Sequence, residues 1–166
     1  MKIGLLSDTH GYLEESVFNH FKDCDEIWHA GDIGTLEVAD KLSSFKKLRA
    51  VYGNIDGHEI RINYGEHARF KIDGLKVWIT HIGGSPPRYN QKVRPSLLSH
   101  TPDIFICGHS HILKIMSDKT FNNMLYINPG AAGRNGFHRV KTLVRFEIND
   151  GKVGNMQVIE LGRRGS

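Results

Sequence analysis

Short apolar runs and amphipathic stretches alternate through the first half of the chain. Lys2–Ser7, Asp25–His29 and Leu48–Tyr52 are apolar runs of strand length and read as buried strands. Between the first two, Tyr12–Asp23 places Leu13, Val17, Phe18 and Phe21 on one helical face. Between the second and third, Thr35 is placed to cap a helix running through Phe45. Leu36, Ala39 and Leu42 recur there at threes, and Glu37 sits in the first turn. This β-α-β-α-β order predicts a parallel sheet with helices packed on it. The second half is richer in strands. His67–Ile72 and Leu75–Thr80 flank Asp73-Gly74, which suits a two-residue hairpin turn. A Gly/Pro-containing loop follows over Ile82–Pro95, then a short helix over Pro95–His100 and a buried strand at Ile104–Cys107. Further strands are expected at Ile112–Ser117, Met124–Ile127, Lys141–Ile148 and Lys152–Leu161. The whole reads as two packed sheets with helices outside them.

Composition narrows the class without naming a chemistry. A chain of 166 residues is long enough for a substantial core and is expected to form one domain over residues 1–166. Its apolar runs are far shorter than the ~20 residues that cross a bilayer, so no membrane partner is expected. The start of the sequence lacks the apolar region of a signal peptide. Two cysteines, Cys24 and Cys107, form neither a disulfide framework nor a CxxC pair, and a reducing cytoplasm is the expected location. The net charge of +4 is spread over the chain, so nucleic-acid binding is not expected from charge alone. The sequence does not fix the oligomeric state, and a homo-oligomer stays open.

Metal-binding residue types recur at the downstream ends of the apolar strands. Ser7-Asp8-Thr9-His10-Gly11 follows the first, Ala30-Gly31-Asp32 the second and Gly53-Asn54 the third. His81 follows the hairpin, and Gly108-His109-Ser110-His111 follows Ile104–Cys107. Ligands of open α/β sheets bind at the carboxyl ends of strands. Asp8 and His10 are two apart, as are His109 and His111, which in extended chain would project both side chains of a pair to one side. Gly11, Gly31, Gly53 and Gly108 would let the backbone bend beside each ligand. A mixture of carboxylate, imidazole and amide suits manganese, iron or zinc better than calcium or magnesium. Seven ligands exceed one tetrahedral site but suit two ions if Asp32, carried by the middle strand, bridges them. Two such ions can clamp a phosphoryl group and lower the pKa of a shared water from ~15.7 towards 7, giving a bridging hydroxide as nucleophile.

These residues resemble the motifs of the calcineurin-like metallophosphoesterases: Asp8-x-His10, Gly31-Asp32, Gly53-Asn54, His81 and Gly108-His109-x-His111 in that order. The length and strand order resemble the small bacterial and archaeal phosphodiesterase branch, whose fold also serves a retromer scaffold subunit. Asn128-Pro129-Gly130 resembles a turn that this branch places near its site. The resemblance implies an α/β fold, a four-layer α-β-β-α sandwich of two mixed sheets flanked by helices. It implies one metal held by Asp8, His10, Asp32 and His111, and a second by Asp32, Asn54, His81 and His109. Two positions depart from the wider pattern. Many members carry a histidine after the motif asparagine, credited with protonating the leaving group, where this chain has Ile55. The His-Gly-His after the fourth strand reads His81-Ile82-Gly83 here.

The expected function is therefore metal-dependent phosphoester hydrolysis, with small-molecule phosphodiesters favoured. Asp32 and His81 act with the bridging hydroxide as catalytic groups. Two divalent ions are required, manganese first, with iron, zinc, nickel or magnesium as alternatives. Arg88 and His58 are the candidates for substrate contact. Arg134 and His138 are further phosphate-contact candidates whose default is a surface role, and His29 is expected to support the site by packing. The rival expectation is a non-catalytic protein-interaction scaffold with a vestigial metal site.

Overall fold

The computed structural model describes all residues, 1–166. Its elements in chain order are β1 (Lys2–Leu6), α1 (Ser16–His20), β2 (Glu26–His29), α2 (Leu36–Phe45), β3 (Lys47–Ala50) and α3 (His58–Arg61). The hairpin β4 (His67–Ile72) and β5 (Leu75–Thr80) follows, then β6 (Gly84–Ser85), β7 (Arg88–Tyr89), α4 (Arg94–Ser99) and β8 (Ile104–Ile106). The chain ends with β9 (Lys114–Asp118), a 3₁₀ turn at Lys119–Phe121, β10 (Met124–Asn128), β11 (Val140–Asn149) and β12 (Lys152–Arg163). One sheet has the order β12-β11-β1-β2-β3 and the other β4-β5-β8-β10-β9, with β6 and β7 forming a small separate hairpin.

Side-chain alternation assembles four layers. Ile3 and Leu5 point from β1 into the inter-sheet core with Trp28, Val77, Ile79, Ile104, Ile106 and Phe146. Leu6 points the opposite way, joining Val17, Phe21, Val38 and Leu42 beneath α1 and α2. In the second sheet, Trp78, Phe105 and Tyr126 face outward onto Val93 and Leu97 at α4. The result is the α-β-β-α sandwich, with mixed sheets because β1, β2 and β3 are parallel while β11 runs antiparallel to β1.

Two expectations change. The helix expected over Tyr12–Asp23 is confined to Ser16–His20. Gly11 lies at φ +80° and the Tyr12 N–H bonds Thr9 O, so the chain is still turning where the apolar spacing suggested helix. The Gly/Pro loop after β5 contains the β6–β7 hairpin around Pro86-Pro87. By contrast, Thr35 caps α2 as expected, its hydroxyl oxygen accepting from the Val38 N–H at 3.4 Å.

Candidate metal centre

Each expected ligand lies just past the carboxyl end of a strand. Asp8 and His10 follow β1, Asp32 follows β2, Asn54 follows β3, His81 follows β5, and His109 and His111 follow β8. The first sheet thus supplies four of the seven and the second sheet the other three. Donor atoms of Asp8, His10 and His111 lie within 4.8 Å of one another, as do those of Asp32, His81 and His109.

Each carboxylate divides its two oxygens. Asp8 Oδ2 accepts from the Ser7 hydroxyl at 2.6 Å and the His109 N–H at 3.1 Å, while Oδ1 is buried without a hydrogen bond. Asp32 Oδ1 accepts from the Ile55 N–H at 3.0 Å. Its Oδ2 stands 3.4 Å from His10 Nε2 and 3.2 Å from His81 Nε2, between the two groups.

The imidazoles are aimed in the same manner. His81 Nδ1 lies 2.7 Å from the carbonyl oxygen of Ala30. A carbonyl only accepts, so Nδ1 carries the proton and Nε2 faces the carboxylates. For His111 the aim is set at second hand. His138 Nε2 donates to Gly133 O at 2.8 Å, and burial lowers the His138 pKa, favouring the neutral ring. His138 Nδ1 is then an acceptor, so His111 Nδ1, 3.2 Å away, donates to it. That leaves His111 Nε2 bare, 3.1 Å from Asp8 Oδ1.

The donor set fits metal ions. Buried Asp8 Oδ1, His10 Nε2 and His81 Nε2 make no hydrogen bond, a costly state for polar atoms unless a cation stands among them. Donors about 2.1 Å from one ion sit about 3.0 Å apart at a right angle and about 3.4 Å apart at a tetrahedral angle. Asn54 Oδ1 and His109 Nδ1 are 3.0 Å apart, and the His–Asp pairs above span 3.1 to 3.4 Å. Without an ion the carboxylates shift the imidazoles nearest them towards the protonated form. Burial opposes charge on His81, but Asp32 and Asp8 outweigh it and raise its pKa. The Asp8 carboxylate likewise raises His10. Burial would raise Asp8, yet His10, His111, His81 and Ser7 hold it well below the usual carboxylate range.

The backbone beneath the ligands is left-handed, not extended. Asp8, His10, Asp32, His109 and His111 all have φ between +47° and +71°. The spacing-by-two argument therefore gives the right neighbours for the wrong reason: the side chains converge because tight loops turn them. Gly53 and Gly108 are needed for closeness rather than for bending. A Cβ on Gly53 would land on Asp32 Oδ1, and one on Gly108 on the Ser7 hydroxyl, 2.7 Å from Asp8 Oδ2.

Three residues support the site from behind, of which Asp56 escaped the sequence reading while His29 and Asn128 were singled out in it. The buried Asp56 carboxylate accepts from the N–H groups of Ile33, Gly34 and Gly53 at 3.1, 2.8 and 2.8 Å, tying the β2 and β3 loops together. Buried His29 accepts from the Gly31 N–H at Nδ1 and meets the Thr9 hydroxyl at Nε2, joining the β1 and β2 loops. Asn128 donates to Gly108 O and Ser110 Oγ, holding the His109–His111 loop from beneath. The other candidates for substrate contact are placed as follows. Arg88 is exposed on β7, His58 opens α3, and Arg134 stacks 3.9 Å above the Tyr12 ring. The side chain of Ile55 is 45% exposed beside the site and offers no proton.

A sequence profile of the calcineurin-like phosphoesterase superfamily domain matches residues 1–151. The chain belongs to this superfamily. Among calcineurin-like relatives, a probable metallophosphoesterase of Methanothermobacter thermautotrophicus is 31% identical over 136 residues, covering 79% of this chain and 77% of the relative. A phosphodiesterase of Methanocaldococcus jannaschii is 27% identical over 150 residues, covering 78% of this chain and 83% of the relative. Solved structures agree on the calcineurin-like fold. An archaeal phosphodiesterase superposes with TM-score 0.77 at 25% identity over 97% of this chain and all of the other. Vps29 of Entamoeba histolytica complexed with zinc superposes with TM-score 0.72 at 19% identity, covering 98% and 99% of the two chains.

Proposed function

We propose that this calcineurin-like protein is a phosphodiesterase working with two divalent ions. The observation that carries the reading is the division of labour at Asp8 and Asp32, each giving one oxygen to protein donors and leaving the other free among bare imidazole nitrogens. Asp8, His10, Asp32 and His111 would hold one ion, and Asp32, Asn54, His81 and His109 the other, Asp32 serving both sets. When bound, two ions of this kind neutralise phosphoryl charge and bring the pKa of a shared water near neutrality. Manganese suits the mixed oxygen and nitrogen donors.

The residues themselves orient and shield. The Ala30 carbonyl and His138 fix which nitrogens His81 and His111 present, and the Ile55 N–H holds the bridging carboxylate by its outer oxygen. No side chain at position 55 protonates a departing alkoxide. A positioned general acid contributes ~10²–10⁴ in rate, so esters with acidic leaving groups should be the good substrates. The phosphodiesterase names of the relatives favour diesters.

The test is hydrolysis of bis(p-nitrophenyl) phosphate with manganese, iron, zinc, nickel or magnesium, and with a chelator control. Activity is expected with at least one metal, should vanish in Asp32→Ala, and should be far lower on a dialkyl ester. Metal-independent activity, or full activity in Asp32→Ala, refutes the reading. The absence of Ile55 chemistry favours one rival, a non-catalytic interaction scaffold, and metal binding with no turnover under any of these metals would establish it over the enzyme.

A further inference from the structure

A cleft of about 410 Å³ opens beside the second group of ligands, with Asn54 and His81 on its wall. Two cations line it, Arg61 from α3 and Lys92 from the segment before α4. Neither is paired with a carboxylate. The Arg61 guanidinium is held by main-chain oxygens, Nε donating to Asp56 O at 2.6 Å, and lies 4.4 Å above the Tyr52 ring. Lys92 is exposed, its main-chain N–H donates to the Asn90 side chain, and its ammonium group has no hydrogen-bond partner. The one carboxylate on the wall, Glu66, faces its own neighbours, with the Tyr52 hydroxyl at 3.5 Å and His67 Nε2 at 4.0 Å. Another polar cleft, of about 240 Å³ at the start of β1, differs in kind. Its Arg145 is already engaged by His20 O and Gln157 Oε1.

We propose that this cleft selects phosphodiesters carrying a second anionic group, which Arg61 and Lys92 receive while the scissile phosphate sits at the ligands. The inference rests on the phosphodiesterase reading. The scissile phosphate is served by the ligand cluster itself, so the two unpaired cations on the cleft wall are available to a second charge, and guanidinium and ammonium groups suit phosphate or carboxylate. The volume falls in the range of small-ligand sites. Tyr52, stiffened by the stacked Arg61, gives the connecting part of the molecule a flat wall.

The probe pair is thymidine 5′-monophosphate and thymidine 3′,5′-bisphosphate, tested as competitors of bis(p-nitrophenyl) phosphate and by calorimetry on the manganese-loaded protein. The bisphosphate should bind at least tenfold tighter than the monophosphate. Lys92→Gln and Arg61→Gln should each erase most of that preference, and Lys92→Glu should reverse it, with monophosphate binding and melting temperature little changed. Equal binding of the two probes overturns the proposal. So does an equal loss for both probes in the variants, which would make the cations general attractants of phosphate. Calorimetry keeps the two hypotheses apart: absent turnover with a retained bisphosphate preference sinks the enzyme reading alone, and turnover without the preference sinks the cleft alone.

Discussion

His138 shows how much a site can depend on the residue behind a candidate ligand. Its acceptor nitrogen keeps the proton of His111 on Nδ1. Imidazole ligands that lose such a partner typically lose 10–100-fold in metal affinity. His138→Ala should therefore weaken metal binding by about that factor in a competition assay with a chelating dye. His138→Asn, whose oxygen can stand where Nδ1 stood, should recover most of it, and equal weakening in both variants would mean that only packing was lost. His29 makes a second residue-level case. Burial pushes its pKa from 6.5 down to about 4. The unfolded chain takes up this proton first, so the buried neutral ring costs nothing above pH 6.5, and stability falls as pH drops from there towards 4. The full loss is roughly 3 kcal/mol. His10 and His81, raised by their carboxylates, pull the other way in the metal-free protein. The difference between the denaturation profiles of the parent and of His29→Gln isolates the His29 contribution. A difference that does not change between pH 7 and pH 4 would contradict it.

At the scale of elements, legibility followed locality. The β4–β5 hairpin was readable to the residue because Asp73-Gly74 determines its turn without outside help. The seven candidate ligand positions were readable because they punctuate strand ends. The truncated α1 was not, since its apolar spacing continues into Leu13, a residue that packs on the same core from a loop. The four-residue α3 was missed because it buries only Ile60 and has no periodicity to show. His138 and Asp56 were opaque for a related reason: the partners that tie them to the site, His111 for one and Ile33 and Gly34 for the other, lie 27 and 22–23 residues away in sequence. The left-handed loops were also hidden, and they carry a prediction. His109 is exposed at φ +71°. An ordinary side chain costs about 1–2 kcal/mol in that region, which glycine does not incur. Metal-free His109→Gly should therefore be more stable than His109→Ala by about 1 kcal/mol in urea denaturation, though glycine is the more flexible residue. A more stable alanine variant would show that the loop is not held in this conformation in solution.

For the whole molecule, the decisive fact is that the ligands come from both sheets. Asp8, His10, Asp32 and Asn54 belong to loops of one sheet, and His81, His109 and His111 to loops of the other. Bound ions would join the two sheets at one edge, in addition to the apolar core between them. Ligands that bind only the native state stabilise it by mass action, about 2.7 kcal/mol at a hundredfold excess over the dissociation constant. In a chain of this length that is worth roughly 5–10 °C of melting temperature. Removing metal with a chelator should lower the melting temperature by about that amount in the parent and leave Asp32→Ala unmoved. A parent protein indifferent to both chelator and added metal would argue against any bound ion.

The left-handed loops also constrain descent. At five ligand positions the backbone itself admits only a narrow set of residues, chiefly glycine, asparagine, aspartate and histidine. A lineage that abandoned the metal would not be free to drift there, because most replacements would strain the fold before any chemistry was tested. Relatives that have become pure binding proteins should therefore carry glycine or asparagine where the ligands stood, leaving the outline of the lost centre in their backbone.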